Sequence, residues 1–462
     1  MRATYKKILC LFLIAILLFS LSGCYDYYEP EDVSFVIAVG VDKGEKTAYK
    51  ITFQGMATSK IKSSEQGTEG HPVYNAAIEA ADFQNAVDLA NSFLADYLSF
   101  AQTKVIVFSE ELAKEGLSEI LYSFARNADF SADTYVAISR GSAYDFLKSV
   151  QPVLTQNPSK FYEMIFESAD EEYIPLINLT EVYYDLVSGE RQPVFPLVAV
   201  NESKLNKQSQ PDKEDKKEEN GDGATGQREN GGTDTGSEED AQGKEGGNSK
   251  TSSGEEESKY GKKDSDGAES YYAGDLERSS ENNAEVLGMA VLGRDNSLVA
   301  IATAAETKYY NMISGDFDQL GFSVDQKTEN GDAIGASLTG LGKPVYTVKM
   351  KDGIPHITIT LTFLIDTIHV AETYRYTENR KSLETLMEEY LTKNITDFLY
   401  KTSREYRSDI FGFFKATKKQ YWDYEQLRQN NWAELYEKAE FNVLIEVTHK
   451  RNGIMYDTSL GG

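Results

Sequence analysis

One stretch decides how this chain can fold. Residues 201–285 are dominated by Ser, Gly, Asn, Glu, Asp and Lys, with 23 acidic against 12 basic residues, a net charge of −11. Such a segment cannot bury enough apolar surface to offset chain entropy, so it is expected to be a disordered acidic insert. As a flexible coil it would span roughly 50 Å, and its charge would extend it further. The chain is therefore read as foldable material on either side of a polar linker. Inside the linker, Gly221-Asp222-Gly223-Ala224-Thr225-Gly226 matches GxGxxG. No strand pattern precedes it and no helix pattern follows, so the match is read as chance.

The N-terminus carries a second strong signal. Arg2, Lys6 and Lys7 precede an apolar run from Ile8 to Phe19, then Leu21-Ser22-Gly23-Cys24. Charge, a short apolar core and small residues before a cut site are the order of a secretory signal. The run is short for a spanning helix, which needs about 20 residues. Leu-Ser-Gly-Cys resembles the lipobox of bacterial lipoproteins. That resemblance implies that residues 1–23 are removed and that Cys24 carries S-diacylglyceryl and N-palmitoyl groups. Each buried methylene contributes about 0.8 kcal/mol, so one chain binds marginally while several hold firmly. No later run reaches spanning length, so the expectation is a protein held on the outer face of a membrane by lipid alone.

Charge and residue usage narrow the function classes. The net charge is −27, and −30 once Arg2, Lys6 and Lys7 are gone. That sign argues against nucleic acid as a partner. It also argues against electrostatic attachment to anionic lipid. The cysteines are Cys10 and Cys24, so no thiol is left for a disulfide, a zinc site or a nucleophile. His71, His356, His369 and His449 are isolated, with no HExxH, GxSxG or Walker-type loop. No catalytic residue, metal site or cofactor is therefore assigned, and the chain is not read as an enzyme.

Hydrophobic patterning gives a mixed α/β reading in three domains, with mixed sheets and packed helices. The expected divisions are 24–200, a small middle domain over 286–340, and 341–455. Val33 to Val41 reads as a buried strand and Asp42-Lys43-Gly44 as a hairpin turn before Tyr49–Gln54. Asn75–Tyr97 reads as a helix, 102–108 as a strand, 112–124 as a helix, 134–139 as a strand and 143–150 as a helix. In the last region, Ile357, Ile359, Leu361, Phe363 and Ile365 alternate with threonines, predicting one buried face. Lys381–Arg407 carries an apolar stripe at helical spacing and should lie across that sheet. Asp409 is placed to cap the helix that follows it. Lys415, Lys418 and Lys419 read as a solvated face, with a docking patch as the alternative. Tyr421, Trp422, Tyr424, Trp432 and Tyr436 read as core, with an interface as the alternative.

Several of these stretches together resemble one family. Val33–Gly44 is similar to the opening strand of spore germination lipoproteins of the Ger(x)C type. Ser99-Phe100-Ala101-Gln102-Thr103-Lys104-Val105-Ile106-Val107-Phe108, then Glu110 to Leu117, Arg126 and Thr134-Tyr135-Val136, follow the same layout. Asp409, Phe411 and Gly412, within Ser408–Phe413, resemble the family's C-terminal signature, although Phe414 stands where a small residue is frequent. Tyr25 stands where a tryptophan is common. The resemblance implies the C subunit of a nutrient germinant receptor, on the outer face of the spore inner membrane of a Gram-positive spore-former. Its implied partners are the A and B membrane subunits, and its implied role is that of a scaffold or interaction module. A substrate-binding lipoprotein of an importer and a cell-wall hydrolase are the rival readings.

Overall fold

The computed structural model describes residues 2–20, 33–56, 73–94, 97–151, 157–167, 173–202, 270–324, 334–369, 376–417 and 431–450. Cys24 and its lipobox, His71, residues 203–269, Lys418, Lys419, Tyr421, Trp422 and Tyr424 lie outside the described residues. The chain begins with α1 (Arg2–Ser20), on which Tyr5, Ile8, Leu9, Leu11 and Phe12 are exposed. No helix among the described residues is long and apolar enough to cross a membrane.

The first sheet grows around β1 (Val33–Lys43). β2 (Tyr49–Met56) pairs with it antiparallel, and β3 (Val73–Ala80) pairs with β2. After α2 (Phe83–Ala90), β4 (Tyr97–Ser99) and β5 (Val105–Ser109) both lie parallel to β1. α3 (Glu110–Glu115) and α4 (Ser118–Arg126) lead to β6 (Tyr135–Ser139). α5 (Ala143–Ser149), α6 (Pro158–Glu167) and α7 (Leu179–Ser188) lead to β7 (Val194–Val200). β8 (Ala284–Leu292) and β9 (Leu298–Ala302) then add antiparallel beyond β7. The result is a nine-stranded sheet in the order β3-β2-β1-β5-β6-β7-β8-β9, with β4 beside β1.

This sheet is covered on both sides, which is why its central strands are apolar at successive positions. Ile106 and Phe108 face one core with residues of α2, α3, α4 and α7, while Val105 and Val107 face another with residues of α5 and α6. Phe53, Phe83, Phe100, Phe124 and Phe130 form a cluster of rings in the first core, with Phe83 and Phe124 centroids 4.8 Å apart.

The second sheet follows α8 (Ala304–Ser314), which starts at a Thr303–Glu306 capping box and stops at Gly315 with φ +78°. β10 (Gln319–Val324), β11 (Ile334–Gly340), β12 (Val345–Lys351) and β13 (Ile354–His369) form an antiparallel array in the order β10-β11-β13-β12. α9 (Tyr376–Lys401) runs into a π-helical turn over Thr402–Tyr406. α10 (Phe413–Thr417) and α11 (Trp432–Glu437) precede β14 (Glu440–His449), which pairs parallel to β13. Leu383, Met387, Leu391, Ile395, Phe398 and Leu399 of α9 share one core with Ile357, Ile359, Leu361, Phe363 and Ile365 of β13. The helix thus lies on the sheet as its stripe predicts. Glu388 and Glu384 of α9 also accept the backbone N–H groups of Val447 and His449 on β14, each at 3.0 Å.

Four expectations change. Asn75–Tyr97 is not one helix: β3 pairs with β2 along its length, and Asp82, in extended conformation, caps the separate helix α2. Sheet pairing overrides the helical spacing of Ile78 and Ala81. The stretch 112–124 breaks at Gly116, where φ is +113°. Residues 286–340 are not a middle domain, because β8 and β9 complete the first sheet while β10 and β11 belong to the second. Finally, residues 270–285, expected within the linker, pack against the first sheet: Ala273 and Ala284 are buried and Tyr272 packs on the core. The polar composition of that stretch concealed these three apolar anchors.

Candidate functional site

The C-terminal signature forms a junction between the two sheets. Asp409 is buried, and its carboxylate accepts from Phe413 N–H at 3.0 Å, Phe414 N–H at 2.9 Å and Trp432 Nε1–H at 2.8 Å. The first turn of α10 has no acceptors of its own for these amides, so the side chain supplies them. Burial pushes the Asp409 carboxyl above the usual range, against the pull of these donors. On the other side, Asp409 N–H donates to Gln192 Oε1 at 2.7 Å, and Gln192 N–H donates to Asp409 O at 3.1 Å. Ser408 Oγ donates to the Leu292 carbonyl at 2.7 Å. Gln192 leads into β7 and Leu292 ends β8, so the signature loop is bonded to the first sheet.

Its neighbours follow the same logic. Phe411 stacks on Tyr310 of α8 at 5.6 Å and meets Phe398 of α9 edge-on at 6.2 Å. Gly412 takes φ +70° beside Arg191, a backbone conformation that favours glycine. Arg191 donates to Asp185 at 2.9 Å through Nε and 2.8 Å through a terminal nitrogen. Burial raises the Asp185 carboxyl, and the Arg191 guanidinium opposes that shift. Lys415 reaches Glu190 at 3.6 Å, so one lysine of the expected solvated face is an ion-pair partner across the junction. Tyr436 is fully buried in the core, and Trp432, half-buried, stacks on it at 6.1 Å. Asp185, Arg191 and Gln192 carried no sequence signal, because their partners are more than 200 residues away or lie on a helix not read as one.

A second candidate region is the carboxyl end of the parallel strands, where open α/β sheets hold ligands. Here that edge is filled by the protein's own bonds. Asp42, at the end of β1, accepts from Ala143 N–H at 2.8 Å and Tyr144 N–H at 3.0 Å, anchoring the start of α5. The expected Asp42–Gly44 hairpin turn is thus displaced, with Gly44 N–H bonded to Ala48 O. Lys43 pairs with Glu115 at 2.5 Å and Glu111 at 3.3 Å. Ser109, ending β5, caps α3. Arg140, just past β6, pairs with Asp275 at 2.8 Å and donates to the Ala273 carbonyl at 3.0 Å.

The insert leaves the first sheet between β7 and β8, and its two ends are tied together. Asn201 N–H donates to Asn283 O at 2.7 Å, while Asn201 Nδ2 donates to Leu276 O at 2.7 Å and Glu285 Oε2 at 2.8 Å. Gly274 N–H donates to the same Glu285 oxygen at 2.6 Å. A long connection adds little closure cost when its ends are held this way.

Among the described residues, His356 and His449 are not brought together. His356 faces Glu440 at 3.2 Å near one end of the β13–β14 ladder, and His449 faces Glu384 at 3.3 Å near the other. No group of three or more His, Cys, Asp or Glu among the described residues could hold a metal ion. Lys308 of α8 is fully buried, with its ammonium 4.5 Å from the centre of the Tyr173 ring and 4.8 Å from that of Phe322, and it donates to the Gly321 carbonyl. Cation–π contact and the carbonyl compensate its burial.

Comparison with known proteins places this architecture. Residues 26–200 match the spore germination protein N-terminal domain, and residues 287–453 match the spore germination B3/GerAC-like C-terminal domain. Spore germination protein KC of Bacillus subtilis (strain 168) is 26% identical over 198 residues, covering 41% of this chain and 48% of that protein. Spore germination protein A3 of the same organism is 28% identical over 142 residues, covering 30% of this chain and 36% of that protein. The chain thus spans about half or less of the length of these curated relatives. The crystal structure of the GerBC protein aligns with 92% of this chain and 100% of its own at 14% identity and a TM-score of 0.45. The boundary between the two matched domains falls between β7 and β8, neighbouring strands of one sheet. Together the two matches take in most of the described fold, and the chain belongs to the GerAC-like family of spore germination proteins.

Proposed function

We propose that this chain is the lipid-anchored C subunit of a spore nutrient germinant receptor, a non-enzymatic scaffold that assembles with A and B membrane subunits. The observation that carries this reading is the pair of matched domains, the first of which begins at residue 26, two residues after Cys24. The exposure of Ile8, Leu9, Leu11 and Phe12 on α1 fits a leader that the folded core does not use. The buried carboxylates Asp409 and Asp42 are committed to helix amides, Asp185 to Arg191 and Glu285 to Asn201 and Gly274, as expected of a module whose polar groups hold its own shape.

Deleting the gene in the parent spore-former and isolating the membrane complex tests the proposal. Spores lacking this chain should fail to respond to one class of nutrient, and the tagged chain should co-purify with two membrane subunits in detergent. An unchanged nutrient response, together with isolation of the chain free of membrane subunits, would overturn it. The anchor is tested separately: mass spectrometry of the native N-terminus should find lipid on Cys24, and Cys24→Ala should abolish it.

A further inference from the structure

Leu89 and Phe93 lie four residues apart on a helical turn that continues past α2. Phe93 N–H and Leu94 N–H both donate to the Ala90 carbonyl, at 3.1 and 2.8 Å. Residues at this spacing share a face. α2 turns Phe83, Ala86 and Ala90 into the core, whereas Leu89 is 40% exposed and Phe93 59% exposed. Tyr97, at the start of β4, is 44% exposed. The residues between are uncharged at Asn91 and Ser92. From Phe83 to Thr103 the charged residues are Asp88 and Asp96, in a chain of which 26% of residues are charged. Leu89 and Phe93 flanking the uncharged Asn91 and Ser92 suit the boundary between headgroups and acyl chains.

Position identifies the occupant. Tyr97 stands in register with Val33, the first residue of β1. Cys24 is nine residues before Val33, and nine extended residues reach at most about 30 Å. A lipid on Cys24 therefore keeps this corner of the first sheet close to the bilayer. Tethering raises the effective concentration of a weak contact to about the millimolar range, so a small apolar face suffices. Among the described residues, the exposed apolar groups Tyr183, Tyr184 and Val187 on α7 and Val345 with Leu444 on the second sheet have no such link to the N-terminus.

We propose that the Leu89–Phe93 face of this helical turn, which leads into β4, inserts into the interfacial layer of the bilayer as a second membrane contact, fixing which side of the protein looks at the lipid. This rests on the reading of Cys24 as the anchor. The experiment separates the two. The mature chain from Cys24 onward has a single thiol, so it can be coupled chemically to maleimide lipid in phosphatidylcholine vesicles whether or not cells lipidate it. Vesicles carrying an acyl-chain diazirine are then illuminated, and labelled peptides are mapped by mass spectrometry.

Label should concentrate at least about five-fold in 83–99 over the Tyr183–Val187 face, and Leu89→Ser with Phe93→Ser should remove that excess. The wild-type map alone decides the matter if the double variant fails to fold. Equal labelling of the two faces, or labelling centred on α7, overturns the proposal while leaving the Cys24 lipid reading to its own mass measurement. Label in 83–99 that survives the double substitution overturns it as well.

Discussion

The two sheets of this protein solve burial differently. The nine-stranded sheet has helices on both faces, so neighbouring residues Val107 and Phe108 are both fully buried, in separate cores. The five-stranded sheet has α9 on one face. Its neighbours Ile359 and Thr360 are respectively fully buried and exposed. Val345, Thr360 and Leu444 face one another across three strands on the open side, where Val345 is 59% and Leu444 49% exposed. The comparison teaches that a continuous apolar run and an apolar–threonine alternation report the number of covered faces, not the strength of a strand. The junction at Asp409 then joins a two-sided layer to a one-sided one.

Substitutions at neighbouring positions test this contrast. The largest losses should come from either core. Phe108→Ala and Phe363→Ala should each cost about 3–5 kcal/mol, and Ile359→Ala and Leu391→Ala about 2–5 kcal/mol, read by urea denaturation. The decisive comparison is the adjacent residue. Val107→Ala should cost about 1.5–3 kcal/mol, while Thr360→Ala should stay within about 0.5 kcal/mol. Equal costs at positions 107 and 360 would erase the distinction between the sheets.

Next in size is the junction. Asp409→Asn replaces an acceptor of three buried donors by a group with one oxygen, at a cost of about 1–3 kcal/mol. Its pH dependence has a definite sign. The Asp409 carboxyl is raised above its ordinary 3.8, so its contribution is full below pH 3.8 and is lost as pH rises through the folded value. The asparagine variant should lack that dependence in melting curves taken from acid to neutral pH.

A smaller effect belongs to the rim of the first sheet. Glu79 on β3 accepts from the backbone N–H groups of Glu45, Lys46 and Thr47 and from the Thr47 hydroxyl. These donors, the Glu45 amide foremost, lower its carboxyl from 4.5 to about 2. Its contribution is therefore present above pH 4.5 and lost as pH falls through about 2. Glu79→Gln should lower the melting temperature slightly at neutral pH and remove this step in acid. The smallest effect should follow deletion of 210–265, whose composition builds no core. The melting temperature should stay nearly unchanged, and a large fall would show that the segment folds.

Much of the architecture was legible from pattern alone. The alternation through β13, the stripe of α9 and the capping role of Asp409 are local relations, set by residues within a few positions of one another. Periodicity and capping chemistry report such relations directly. The role of Asp42 was not legible, because its partners at Ala143 and Tyr144 are about 100 residues away. Nor was the course of Asn75–Tyr97, where pairing with β2 outweighs helical spacing.

Residue pattern was enough to show that β1 is buried and that β13 buries one face against α9, since side-chain transfer from water is a property of the residues. Tertiary structure alone decided that β8 and β9 complete the first sheet across a long insert, and that Asp409 meets Gln192. Those bonds depend on where distant backbone arrives, and nothing in a linear pattern encodes that arrival.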